Sequence, residues 1–296
     1  MSRIERLEDI TLHHLTIRPE QTQGNDGLGR IFLLPGSDGR AEEIASRLKN
    51  VEVARSKRRL DAYLGRITRD GRTADIGVVS TGMGCASLDI VVTELIAAGA
   101  RTFLRVGTSG SLQPNHIRVG DFVVARAAVR DESVSDRYVS MAFPALADRL
   151  VVDACCRAAE NLGLGARTFA GIIHSKDSLF AREFGMGPLR DDNERFMESL
   201  RSVGVLASEM EAAHLFVLSA VHGTAIGPIQ PSLPVPGRAI RSGAILAIIG
   251  DDRPFAPKDE VGRAIENLVD LALESALNLV EMLPTTAEAS PASSLS

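Results

Sequence analysis

Apolar residues follow two spacings along the chain. Residues 30–35, RIFLLP, are a continuous apolar run closed by Pro35-Gly36, which predicts a buried strand. Ala41, Ile44, Ala45 and Leu48 then recur at helical spacing over 39–49, with Ser37 or Asp38 placed to cap. Residues 60–69 and 74–80 read as paired strands turned at Asp70-Gly71. A helix is expected over 85–98, ending at Gly99, then a strand at 102–106 and a turn at 107–110. Further strands are predicted at 119–130, 167–174, 204–207 and 243–250, and further helices at 146–162, 192–202, 209–222 and 258–282.

Strands alternating with helices, many of them apolar throughout, predict an α/β fold. Its core would be a central mixed, mostly parallel sheet with helices on both faces. No shift in composition divides residues 1–283, which are expected to form one domain. Four of the 13 prolines (Pro228, Pro231, Pro234 and Pro236) fall in 224–241, expected as an irregular insertion. The stretch 284–296, PTTAEASPASSLS, reads as a disordered tail.

Charge changes this picture little at first. The 296 residues carry a formal net charge of −5, which argues against nucleic acid or an anionic membrane as a partner. No apolar run is long enough to span a bilayer, and MSRIERLEDITLHHL lacks the apolar core of a signal peptide. Cys85, Cys155 and Cys156 have neither zinc spacing nor a disulfide pattern, so a reduced cytoplasm and no metal are expected. Of the 33 basic residues 29 are arginine, so only position can mark an arginine as functional.

Arg105 is marked in that way. It interrupts the apolar strand TFLRV just before GTSG, where a guanidinium is costly unless paired or facing a pocket beyond a strand's carboxyl end. An anion would satisfy it, and so would an internal carboxylate. LLPGSDGR places Gly36 and Arg40 around a helix start, where backbone N–H groups suit an anion. Glu209-Met210-Glu211 opens an apolar helix, either as ordinary first-turn acids or as a carboxylate gripping a sugar diol.

Taken in order, LLPGSDGR (33–40), STGMGCAS (80–87), RTFLRVGTSGSLQPNHIRVGDFVVARAAVR (101–130), FPALAD (143–148) and ASEMEAAHLF (207–216) resemble the nucleoside phosphorylase superfamily. That superfamily contains uridine phosphorylase and hexameric purine nucleoside phosphorylase, and 101–130 is most similar to the uridine phosphorylase branch. The resemblance implies phosphorolysis of a nucleoside to ribose 1-phosphate and free base, with inorganic phosphate as co-substrate and no other cofactor. It implies phosphate binding by Gly36, Arg40, Arg105 and Thr108, and by Arg58 (or Arg59) donated from a neighbouring subunit. Ribose is implied to meet Thr108, Met210, Glu211 and a neighbour's His14 (or His13). The chain is therefore expected as a homo-oligomer built from dimers, up to a hexamer, with a nucleoside and phosphate as its small-molecule partners.

The base pocket departs from that pattern. Ser109 and Gly110 are expected beside the base, with Phe180 or Tyr138 stacking on it. Where uridine phosphorylases read uracil with a Gln and an Arg, the loop HSKDSLFAREFGMGP aligns Glu183 and Gly185, with Arg182 as a replacement after a register shift. Such a loss should reject uracil unless something replaces the contacts. Asp251 and Asp252 stand where purine enzymes of the family keep an acid for the leaving base; the alternative is a pair of loop acids that cap the final helix or pair with Arg253. Replacing Arg105 with Ala is expected to abolish turnover and leave the fold intact.

Overall fold

The computed structural model describes residues 7–226, 240–251 and 257–283. The 227–239 part of the expected insertion, the expected tail at 284–296 and Asp252 all lie outside them.

Among the described residues there are ten strands and six helices, two of the strands beyond the eight that the sequence predicts. The strands are β1 (Ile31–Pro35), β2 (Lys49–Ala54), β3 (Ala62–Arg69), β4 (Arg72–Val79), β5 (Thr102–Ser111), β6 (Phe122–Asp131), β7 (Ala145–Leu146), β8 (Thr168–Lys176), β9 (Ala207–Glu209) and β10 (Arg241–Gly250). The helices are α1 (Asp38–Ser46), α2 (Cys85–Ala98), α3 (Arg149–Asn161), α4 (Arg190–Ser202), α5 (Ala212–Ile226) and α6 (Lys258–Met282).

All ten strands join one mixed sheet, parallel at its centre, where β1 lies between β4 and β5. Side chains along β1 alternate between two cores, as the period of two requires. Phe32 and Leu34 join α2 and α5 on one face, while Ile31 and Leu33 join α1, α3 and α6 on the other. The β3–β4 hairpin turns on Asp70 and Gly71, both at positive φ (52° and 77°), the geometry a two-residue hairpin loop needs.

Four elements differ from the sequence reading, one of them β7, a two-residue strand where the start of a helix was expected. The expected turn at 107–110 is strand, because β10 pairs with β5 in parallel as far as Gly110. Residues 49–54, left without an element beyond the expected helix end at 49, form β2, an exposed edge strand with no apolar period to reveal it. Glu209 closes β9 instead of opening a helix, and α5 starts three residues later.

β5 also pairs with β9, so that β5, β10, β6, β8 and β9 close into a ring. Closure brings the carboxyl ends of β8, β9 and β10 against the second half of β5, with the end of β1 alongside. Ligand sites in α/β sheets lie at such convergences.

Candidate functional site

Each strand end contributes side chains to one cavity of about 650 Å³. Gly36, Ser37 and Arg40 come from the β1–α1 junction, where the Ser37 hydroxyl accepts the Arg40 backbone N–H and caps the helix. Arg105, Thr108, Ser109 and Gly110 come from β5; Met210 and Glu211 follow β9; Glu183 follows β8; and Asp251 follows β10. Ten of the residues singled out in the sequence thus share a wall, although they come from five separate segments.

Arg105 is 4% exposed and anchors the electrostatics. Its Nε donates to Glu209 Oε2 at 2.8 Å and its Nη2 to Glu211 Oε2. Both explanations offered for this residue therefore hold together: it is paired with internal carboxylates and it faces a pocket. Nη1 has no acceptor among the described residues. Burial works against the guanidinium charge, but Glu211 and Glu209 outweigh it and raise the pKa. Arg40 makes a single 3.4 Å hydrogen bond, to the Val106 carbonyl, and its buried Nε has no described acceptor. Burial first, and then the Arg105 charge, pull its pKa down. Two guanidinium groups facing one cavity with unmet N–H donors present a strong anion site.

The two carboxylates are not equivalent. Burial opposes the Glu209 anion, but Arg105, the Ser175 hydroxyl and the backbone N–H groups of Ala212 and Glu211 hold its pKa below the usual range. Burial pushes Glu211 up and the Glu209 charge adds to that, although Gly84 N–H donates to Glu211 at 2.5 Å. Glu209 is thus a fixed structural anion, and Glu211 is the adjustable one in the cavity wall.

At the other end of the wall, Glu183 Oε1 occupies the space in front of Gly110, where a Cβ would lie only 2.5 Å away. Glu183 Oε2 pairs with Lys176 Nζ at 2.5 Å. Arg182 does not take part: it is bound to Asp131 at 2.7 and 2.8 Å and to Asn193 at 2.6 Å, above the Phe196 ring. Phe180 is 62% exposed and packs on Phe184, and it is Phe184 that lines the cavity. Tyr138 lies elsewhere, donating to Asp89 at 2.6 Å beside His214. Asp251 lines the cavity and accepts the Val119 N–H at 3.4 Å.

His14 and Arg58 stay outside the cavity but lie close to each other. The Ser56 hydroxyl donates to the His14 carbonyl at 2.6 Å and accepts the Arg58 N–H at 3.2 Å. Glu94 fixes the His14 ring at 2.8 Å and takes the backbone N–H groups of His13, His14 and Leu15. Of the rivals, His13 is exposed and Arg59 is drawn toward Asp38 at 3.7 Å.

Sequence reasoning noted Glu209 beside Met210 and Glu211 but gave it no role of its own, and it passed over Lys176, Ser208 and Arg201 in the same wall. Lys176 gave a usable signal: a charge at the end of an apolar strand, the criterion that marked Arg105. No helix among the described residues is long and apolar enough to cross a membrane.

Residues 30–229 match the family model of the phosphorylase superfamily. Over 256 residues the chain is 32% identical to a uridine phosphorylase of Treponema pallidum, covering 86% of this chain and 90% of the relative. A uridine phosphorylase of Thermococcus kodakarensis is 35% identical over 223 residues, 74% of this chain and 76% of its own. A guanosine phosphorylase of Halorubrum lacusprofundi is 33% identical over 235 residues, 79% of this chain and 89% of its own.

Proposed function

The chain belongs to the phosphorylase superfamily, and on that premise we propose that it cleaves a nucleoside with inorganic phosphate to give ribose 1-phosphate and free base. The observation that carries this reading is the pair Arg40 and Arg105, each with a buried N–H left without an acceptor in one cavity. A site built to use water has no need of two guanidinium groups held together. Phosphate would satisfy both and neutralise their mutual repulsion.

In this reading phosphate sits between the α1 N-terminus at Gly36 and Ser37, Arg40, the open edge of Arg105, and Thr108. Glu211 accepts from the 2′- and 3′-hydroxyls, and the Met210 thioether lies against the sugar. The C1′–N bond breaks with its electron pair leaving on the base, and a phosphate oxygen forms the new bond to C1′. Positive charge that builds on the sugar faces the phosphate dianion, an attraction strongest in the transition state. The chain's own work is positioning, so the reaction calls for phosphate as co-substrate and for no further cofactor.

The base is uracil-type or a purine, met by Ser109, Gly110 and Glu183, with Phe180 brought in only through Phe184. For a purine, Asp251 or Asp252 would supply the proton. Arg58 and His14 are assigned to a neighbouring subunit's site, which their shared position outside this chain's cavity supports. The assembly is then a homo-oligomer of dimers, up to a hexamer. A cytoplasmic location accords with three cysteines that are all free thiols.

Base release from uridine, thymidine, inosine, guanosine and adenosine, with and without phosphate, tests the reading. Turnover is expected only with phosphate, and ribose 1-phosphate should form in equal amount. Full turnover in phosphate-free buffer would overturn it in favour of a nucleosidase, and no turnover at all in favour of a binding protein.

A further inference from the structure

Lys176 is one of only four lysines in the chain, and its side chain is buried with 1% exposure in the cavity wall. An ammonium has three N–H donors. One donates to Ser208 Oγ at 2.7 Å, and the ammonium forms an ion pair with Glu183 Oε2 at 2.5 Å, an oxygen that no hydrogen bond from the described residues reaches. The third has no acceptor among the described residues.

The Ser208 hydroxyl has its one O–H committed elsewhere. Its hydroxyl lies 3.0 Å from His174 Nδ1, and His174 Nε2 lies 2.9 Å from Asp131 Oδ2, which Arg182 also holds. The consistent proton order has Lys176 donating to Ser208, Ser208 to Nδ1, and Nε2–H to Asp131. This chain of bonds, running from Ser208 through His174 to Asp131 at the end of β6 and on to Arg182, fixes the ammonium in place. A buried cation with an unused donor is costly to keep unless a ligand takes that donor.

The position along the wall says which ligand atom that is. Gly110, against which Glu183 rests, lies five residues beyond Arg105 on β5, or about 16 Å at 3.3 Å per residue. With phosphate at Arg105 and ribose at Glu211, this end meets the base. As the C1′–N bond breaks, the base leaves with the electron pair. In uracil or a 6-oxopurine that charge spreads to carbonyl oxygens, whereas adenine has no oxygen to receive it.

Resting on the phosphorylase reading above, we propose that Lys176, held by Glu183 and Ser208, donates its third N–H to a carbonyl oxygen of the departing base and stabilises its negative charge. The site therefore takes bases that carry a carbonyl, uracil or a 6-oxopurine, and discriminates against adenine. The Glu183 carboxylate, next to the ammonium, accepts the ring N–H that adjoins such a carbonyl.

Steady-state kinetics of wild type, Lys176→Met and Lys176→Gln test this on uridine, inosine, guanosine and adenosine, with thermal melts as the check on folding. Wild type should turn over adenosine at least about 100-fold more slowly than its best carbonyl-bearing substrate, and Lys176→Met should lose about 100-fold in kcat on that substrate, as for one donor to a developing anion. The phosphate KM should change little, and Lys176→Gln, a neutral donor, should fall between. The loss should shrink when the base leaves more easily: 5-fluorouridine in place of uridine, or 7-methylguanosine in place of guanosine. An equal loss on activated and ordinary substrates, or efficient wild-type adenosine cleavage, would overturn the assignment of Lys176 and leave phosphorolysis standing. Absence of wild-type turnover on every nucleoside would overturn the phosphorylase reading, and this one with it.

Discussion

Replacing Arg105 with Met removes more than a phosphate contact. The guanidinium bonds two carboxylates whose side chains are only 1% and 4% exposed. Without it, two negative charges stand side by side in the core, and breaking a buried pair in this way typically costs about 3–5 kcal/mol. Glu211, already pushed up by burial, can relieve part of that by taking a proton. A net loss near the lower bound would drop the melting temperature by about 5 °C in a domain of this size. The expectation from sequence, that the fold would survive the loss of Arg105 undisturbed, is therefore revised.

The assay is thermal unfolding in phosphate-free buffer from neutral to acid pH, for Arg105→Met alone and combined with Glu211→Gln. In the single variant Glu211, which burial already pushes up, also loses its counter-charge and so takes its proton at higher pH in the folded chain than in the unfolded one. The folded state then binds more protons than the unfolded state, so its deficit against wild type should shrink as pH falls toward the ordinary glutamate range. Glu211→Gln in the Arg105→Met background should recover stability, a coupling measured directly by the double-mutant cycle. A single variant within about 1 kcal/mol of wild type at neutral pH, or no recovery in the double variant, would refute the account of Arg105 as the counter-charge of a buried pair.

Arg40→Gln should separate binding from folding. Arg40 holds little else in place, so its melt should be unchanged, while loss of a charge-assisted contact of about 1.5–3 kcal/mol raises the phosphate KM by about 10- to 150-fold. Co-expressing Arg40→Gln with Arg58→Ala should restore about a quarter of wild-type activity in randomly mixed dimers, since one site in each hybrid is intact; no recovery would place Arg58 outside a shared site. Burial opposes the Glu94 anion, but His14 and the backbone N–H groups of residues 13–15 hold its pKa low. Its contribution to stability is thus complete above the ordinary glutamate pKa and lost as pH falls through the depressed value. Glu94→Gln should flatten that acid dependence and reduce hydrogen-exchange protection of residues 13–15; unchanged protection would contradict the role assigned to Glu94.

Much of the framework was legible because burial leaves a period in the sequence. RIFLLP, the Asp70-Gly71 turn and the 25-residue α6 could be placed from apolar spacing and turn chemistry alone. β2 could not, since an exposed edge strand has no face to bury and so no pattern to show. The Gly107–Gly110 segment misled for a related reason. Its glycines and hydroxyls signal a turn locally, yet β10 supplies a hydrogen-bonding partner that makes it strand.

For the site, the sequence by itself determined which charges were out of place: Arg105 in an apolar strand, Arg40 at a helix start, Glu209 and Glu211 beside an apolar helix. Those positions, with the ordered motifs around them, were enough for the family. Tertiary structure alone decided which charge meets which. Arg105 and Glu211 are 106 residues apart, and only the ring closed by β5, β9 and β10 makes them partners. The same closure brought Lys176 to Glu183 and Ser208 and turned Arg182 away to Asp131. Spacing along a strand or helix is a local property that a sequence records. Pairing between strand ends depends on sheet order and register, which are set by the whole chain at once.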